Sequence, residues 1–248
     1  MFAVREAPES TPALYCGRVR RIVILTGAGI SAESGLATFR DDDGLWAGHR
    51  VEDVATPEGF SCDPVLVQSF YDARRAELSQ VAPNAAHLAL ARLEREFDGD
   101  VVLVTQNVDD LHERAGSRQV IHMHGELLSA WCTACDARHP WSMPLANDPP
   151  CPACGRRALR PDIVWFGEIP YQMEQIDDAL RDCDLFVAIG TSAEVYPAAG
   201  FVQWATVHGA ETLELNLTRT RGSALFASTR QGSASQAVPA WVAEVLAN

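Results

Sequence analysis

The run RIVILT (21–26) ends abruptly in the turn GAGISAESG (27–35). Apolar and β-branched residues without alternation describe a strand buried on both faces, which is characteristic of parallel sheets. Gly27, Gly29 and Ala32 then fit G-x-G-x-x-G/A, whose glycines permit a tight turn and close backbone approach to a pyrophosphate at a helix N-terminus. Three further runs share the pattern of the first: DVVLVT (100–105), DLFVAIG (184–190) and ETLELN (211–216). Helical spacing fills the intervals at 84–97 and 197–209, and QAVPAWVAEVLAN closes the chain as a C-terminal helix. Strand–helix alternation over 248 residues predicts an α/β fold with a doubly wound, Rossmann-like parallel sheet. An acidic residue about 20 positions after the glycines, which ordinary dehydrogenases use on the ribose, is not found on a strand. Glu52 and Asp53 lie near that distance, in a segment without strand pattern.

Two stretches interrupt the alternation. Residues 41–80 read as a helical module, and residues 126–161 as a zinc-binding module. Residues 18–40, 81–125 and 162–248 then compose the nucleotide-binding domain. Cys132, Cys135, Cys151 and Cys154 form C-x2-C-x15-C-x2-C. Two such knuckles close a tetrahedral thiolate site for one structural Zn2+, with no position left open for water. The other three cysteines, Cys16, Cys62 and Cys183, are scattered, which argues against a disulfide framework.

Ligands of open α/β sheets bind beyond the carboxyl ends of the strands. There, VTQNVDD places Gln106, Asn107 and Asp109 where amides and a carboxylate can meet a ribose or carboxamide. In VIHMHGE, His122 and His124 alternate and would face the same way on a strand. His124, next to Gly125 at the strand end, is the better candidate for a general base. The net charge of −13 disfavours nucleic-acid binding. No apolar run approaches a membrane span, and the N-terminus lacks a signal-peptide pattern. A cytoplasmic monomer is expected.

Together GAGISAESG, FR, TQNVD, HMHGE, the four cysteines, VWFGE, GTS and ELNL, in this order from about residue 20 to the C-terminus, resemble the sirtuins, NAD-dependent protein-lysine deacylases. The similarity is strongest to the bacterial CobB type. The resemblance implies that Gly27, Ala28, Gly29 and Ser31 hold the NAD pyrophosphate region. It places Phe39 and Arg40 over the nicotinamide and ribose side, with Gln106, Asn107 and Asp109 lining that pocket. Gly190, Thr191, Ser192 and Asn216 would contact the rest of NAD, with Trp46, Leu217 and Ala234 as further cofactor contacts. His124 would be the base. Val164, Phe166, Gly167 and Glu168 would offer an edge to which the substrate backbone adds as a strand.

NAD is implied as a cosubstrate. The acyl oxygen of an acyl-lysine protein attacks C1′ of the nicotinamide ribose, and nicotinamide leaves. His124 then helps to deprotonate a ribose hydroxyl, giving free lysine and O-acyl-ADP-ribose. Tyr71 and Arg74, in SFYDARRAELS, match the Tyr-x-x-Arg of the branch that removes succinyl, malonyl and glutaryl groups. Arg74 could pair with the distal carboxylate and Tyr71 could donate to it; alternatively Arg74 faces water or pairs with Asp72 or Glu77. Dual activity on acidic acyl and acetyl groups is expected. Two features depart from the family: GLATFR, with Ala37 and Thr38, replaces the usual GIPDFR, and Asp41–Asp43 form an acidic run, read as a solvated loop. The rival readings are an NAD-binding regulatory or recruitment module with little turnover, a dehydrogenase, and a protein ADP-ribosyltransferase.

Overall fold

A computed structural model describes residues 19–37 and 46–247. The expectations for Cys16, Thr38, Phe39, Arg40 and Asp41–Asp43 lie outside the described residues. β1 (Arg21–Thr26) is followed by two 3-10 turns, Ala28–Ile30 and Ala32–Ser34, then α1 (Val51–Val54), α2 (Pro57–Cys62) and α3 (Pro64–Glu77). Next come α4 (Ala85–Glu96), β2 (Asp100–Thr105), α5 (Leu111–Ala115) and β3 (Val120–His122). β4 (Gly125–Cys132), β5 (Arg138–Pro140) and β6 (Leu159–Ile163) make a separate group. The chain finishes with α6 (Met173–Arg181), β7 (Leu185–Ile189), α7 (Phe201–Val207), β8 (Glu211–Asn216), β9 (Ser228–Gln231) and α8 (Ala234–Leu246).

The main sheet has the order β3-β2-β1-β7-β8-β9, and every pairing in it is parallel. Alternate side chains of one strand serve opposite cores, because successive Cβ atoms leave opposite faces. Ile22 and Ile24 join Leu90, Leu93 and Trp241 on the α4–α8 side. Val23 and Leu25 join Ile176, Leu180 and Val202 on the α6–α7 side. All four anticipated strands are present. β9, with the sequence STRQ, carries no apolar pattern, and so its place at the sheet edge is not legible in the sequence.

β5-β4-β6 form a small antiparallel sheet. Its core contains Ala130, Cys132, Leu145, Cys151 and Leu159, so cysteines occupy much of the little it has. α3 docks on this sheet through a polar stripe with i, i+4, i+7 spacing, which is one helix face. Gln68 donates to the Leu159 carbonyl at 3.1 Å. Asp72 accepts from the Leu145 and Ala146 amides, both at 2.9 Å. Arg75 donates to the Leu127 carbonyl at 2.8 Å and pairs with Asp72. Glu52 and Asp53 lie on α1 and are exposed, so they take no part in a ribose-binding strand.

Candidate active site

The glycine turn is held against β7 by backbone alone. The Gly27 amide donates to Ile189 O at 3.0 Å and the Gly29 amide to Gly190 O at 2.9 Å. A Cβ on Gly29 would lie 2.7 Å from the Gly190 Cα, and one on Gly27 would lie 2.8 Å from the Gly190 oxygen. Gly190 itself has φ +62°. The turn leads into 3-10 segments rather than the α-helix start expected from the fingerprint. Gly35, with φ +98°, ends the second segment. Gly29→Ala is expected to cost about 1–3 kcal/mol by overpacking two backbones and to weaken NAD binding; thermal unfolding and NAD titration read the two effects.

Behind the turn lies a buried polar network with a determined direction. The Asn84 amide donates to His87 Nδ1 at 3.3 Å, so the His87 proton sits on Nε2. Ser31 Oγ therefore accepts from His87 Nε2 at 3.4 Å and from Asn107 Nδ2 at 3.1 Å. Its own proton is left for Asp109 Oδ2, 3.1 Å away. Burial drives His87 down to about 4, which keeps it neutral. Burial also raises Asp109. Beneath these, His112 Nε2 lies 3.0 Å from Thr26 Oγ1, which donates to Thr105 at 2.9 Å. The sequence reading found Ser31, Asn107 and Asp109 and missed His87 and His112. The available signal was Asn84 capping a helix with a histidine three residues later.

β3 ends at His122, so His124 stands in the turn before β4 rather than on a strand. Both imidazoles nevertheless reach the loop after β2. His124 Nδ1 lies 3.1 Å from the Gln106 carbonyl. A carbonyl only accepts, so Nδ1 carries the proton and Nε2 keeps its lone pair. Burial lowers the His124 pKa, with the Gln106 bond opposing. A neutral imidazole with a free Nε2 is the form a general base needs.

Thr191 is buried, and its carbonyl accepts from Asn216 Nδ2 at 2.7 Å. Ser192 and Leu217 are exposed, and Ala234 packs at the edge of the α4–α8 core. Trp46 lies elsewhere, with its ring centroid 4.9 Å from Phe70 and 6.1 Å from Tyr71. In VWFGE, the Val164 amide donates to the His124 carbonyl at 2.9 Å and the Phe166 amide to Ala55 at 3.0 Å. Glu168 turns inward, taking Arg160 in a two-pronged pair at 2.7 and 3.0 Å and the Trp165 amide at 2.8 Å. Gly167 has φ +89°, and Phe166 is exposed.

Tyr71 is fully buried, and its hydroxyl accepts from Trp165 Nε1 at 3.0 Å. Burial raises its pKa, so the phenol keeps its proton. Arg74 donates to Glu77 at 2.7 Å, the pairing that the sequence reading left open. Its Nε and NH1 are buried and have no partner among the described residues. The guanidinium carbon lies 5.1 Å from the Phe70 ring centroid.

The Sγ atoms of Cys132, Cys135, Cys151 and Cys154 all lie within 4.8 Å of one another. The pairs Cys132–Cys154 and Cys135–Cys151 are each 3.8 Å apart. That is the edge of a tetrahedron with metal–sulfur bonds of about 2.3 Å, the zinc–thiolate value. The group is thus built for one zinc ion. Arg156, through its backbone and side chain, lowers the Cys154 thiol, while Cys135, despite the lowering bond from the Ala137 backbone, is raised by desolvation and the neighbouring thiols.

The profile of the Sir2 family matches residues 27–197. An NAD-dependent protein deacylase from Leishmania major, SIR2rp3, is 58% identical over 233 residues, covering 92% of this chain and 96% of that protein. Another NAD-dependent protein deacylase, from Bdellovibrio bacteriovorus, is 55% identical over 230 residues, covering 92% and 97%. A crystal structure of a Sir2 homolog–NAD complex aligns with TM-score 0.84 at 39% identity, covering 92% of this chain and 90% of that one. No helix among the described residues is long and apolar enough to cross a membrane.

Proposed function

The chain belongs to the Sir2 family and is an NAD-dependent protein deacylase; from that premise we propose that it removes succinyl- and malonyl-type acidic acyl groups from lysine, and acetyl groups as well. The observation that carries the acyl preference is Arg74, two of whose nitrogens are buried and without a partner among the described residues, one helical turn from Tyr71. An unpaired buried donor costs about 1–3 kcal/mol, so a carboxylate arriving at the end of an acyl chain gains a charge-assisted bond and relieves part of that penalty. Tyr71 adds a donor, because its oxygen already accepts from Trp165 and its own proton remains available. An acetyl group is accommodated without using either residue.

NAD, when bound, supplies the electrophilic ribose carbon that takes up the acyl oxygen. We assign its binding to the glycine turn and to the loop of Gln106, Asn107 and Asp109. His124 Nε2 then accepts the ribose hydroxyl proton, its direction fixed by the bond from Nδ1 to Gln106. The peptide backbone would lie along residues 164–167 beside the exposed Phe166. The amides of Val164, Trp165 and Phe166 and the Trp165 carbonyl are engaged within the chain, so pairing there falls to the Val164 and Phe166 carbonyls and the Gly167 amide.

The test is the double variant Tyr71→Phe/Arg74→Met against matched acetyl- and succinyl-lysine peptides, with nicotinamide and both products followed by mass spectrometry. Loss of charge-assisted bonds worth about 1.5–3 kcal/mol should lower kcat/KM on the succinyl peptide by roughly 10- to 100-fold. Acetyl removal should change little. An equal response of both substrates would make α3 a scaffold and end the acidic-acyl reading.

A further inference from the structure

His122 is not needed as the base, yet both of its ring nitrogens are engaged. Nδ1 lies 3.3 Å from the Asn107 carbonyl, and Nε2 lies 2.8 Å from Glu113 Oε1. Both partners accept only, so satisfying both requires a proton on each nitrogen. Together with His124 on Gln106, the two histidines hold consecutive carbonyls of one loop. That loop also carries the Asn107 side chain, which donates to Ser31.

We propose that His122 is a positioning residue for NAD: as an imidazolium it clamps the Asn107 carbonyl to Glu113 on α5, and losing one proton loosens the loop. This rests on the reading that residues 106–109 line the NAD pocket. Neutral His122 can donate at only one nitrogen, and the carboxylate at 2.8 Å competes with the carbonyl for that proton.

The surroundings favour the charged form. Burial alone would push His122 down, but the bond and charge of Glu113, then the charge of Glu126 on β4 and the Asn107 carbonyl, raise it overall. Asp109 also interacts with the His122 charge, as does His112, which burial keeps neutral. His122 borders a cleft of about 280 Å³ shared with Glu126, Arg138, Asp162 and Tyr171. Arg138 is the one cation among those four, and it is held by Asp162 at 3.3 Å and set over the Tyr171 ring. The cleft has room for waters that exchange protons with the ring.

Two histidines two residues apart are therefore shifted in opposite directions, His124 down and His122 up. His124 acts as a base above its lowered pKa, so it sets the acid limb of activity. The clamp is present below the raised pKa of His122 and is lost as pH rises through it, so His122 sets an alkaline limb in KM for NAD.

The experiment uses the intact zinc-loaded protein, an acetyl-lysine peptide and NAD, with KM and kcat measured across the histidine titration range. KM for NAD in the wild type should rise roughly tenfold through the alkaline limb, the worth of about one net hydrogen bond. His122→Asn places an amide donor near the Nδ1 position, so it should hold Asn107 and flatten that limb. His122→Gln places its amide near Nε2, so it should reach Glu113 only and show the raised KM at every pH. Both effects should fall on KM more than on kcat. Glu113→Gln, at the surface, should move the alkaline limb and the NMR titration of the His122 ring to lower pH, and it serves if the His122 variants fold poorly. A His122 ring that titrates at or below the ordinary 6.5, or an alkaline limb that persists in His122→Asn, would overturn the clamp. If Asn107→Ala leaves KM for NAD unchanged, the loop assignment itself fails. If Asn107→Ala raises KM while His122→Gln does not, the clamp alone is wrong.

Discussion

Replacement of His124 by alanine is expected to lower kcat by roughly 10²–10⁴-fold, the span of a single general base, while NAD binding changes little. The imidazole accepts a proton at Nε2 only because Nδ1–H is committed to the Gln106 carbonyl. Its lowered pKa, caused by burial, keeps the ring unprotonated at neutral pH. At saturating NAD, kcat should then fall as pH drops below the ordinary histidine range, and this acid limb should vanish in His124→Ala. Equal residual activity in the wild type and the variant would remove His124 from the chemistry. Nicotinamide release and deacylated peptide, measured side by side, separate a failure of the base from a failure of the first bond cleavage.

Removing the metal should be nearly as damaging by a different route. Structural zinc contributes on the order of 10 kcal/mol to the folding of small modules. Here the sheet β5-β4-β6 has a five-residue buried core that includes Cys132 and Cys151, so the apo module has too little to bury. Cys151→Ser, or a strong chelator, is expected to unfold residues 125–163. The loss should travel along two connections. Leu145 and Ala146, between the cysteine pairs, bind Asp72 on α3, and the residue after β6, Val164, binds the His124 carbonyl. Hydrogen exchange should show α3 and β4 losing protection while β1, β2, β7 and β8 retain theirs, and deacylation should be abolished. Retained protection in β4 after zinc loss would refute this coupling.

The main sheet was legible because its strands are buried on both faces and read as unbroken apolar runs, as in RIVILT. The zinc site was legible because thiolate geometry demands the spacing of Cys132, Cys135, Cys151 and Cys154. Less legible were elements whose residues carry no pattern of their own. β9 takes its register from β8. The 3-10 turns after β1 stand where a helix start was expected, because the left-handed Gly35 ends the segment before a full α-helical turn can propagate. The side chain of Glu168 lies against Arg160, an ion pair between neighbouring segments that no local pattern announces.

Helix α3 marks the division most clearly. By itself the sequence determined that Tyr71 and Arg74 share a helix face and that two adjacent arginines, Arg74 and Arg75, follow Asp72. Which arginine serves which neighbour was decided by the tertiary structure. A helix turns about 100° per residue, so Arg75 enters the interface with the zinc-bearing sheet and binds Asp72 and Leu127, while Arg74 lies over Phe70 with two nitrogens unpaired among the described residues. The same holds for the two histidines. Their spacing aims both at one loop, but only the acceptors waiting there, a carbonyl for His124 and a carbonyl plus a carboxylate for His122, fix how many protons each ring must carry. Periodicity fixes direction along a chain; protonation and pairing depend on what another part of the chain brings to meet it.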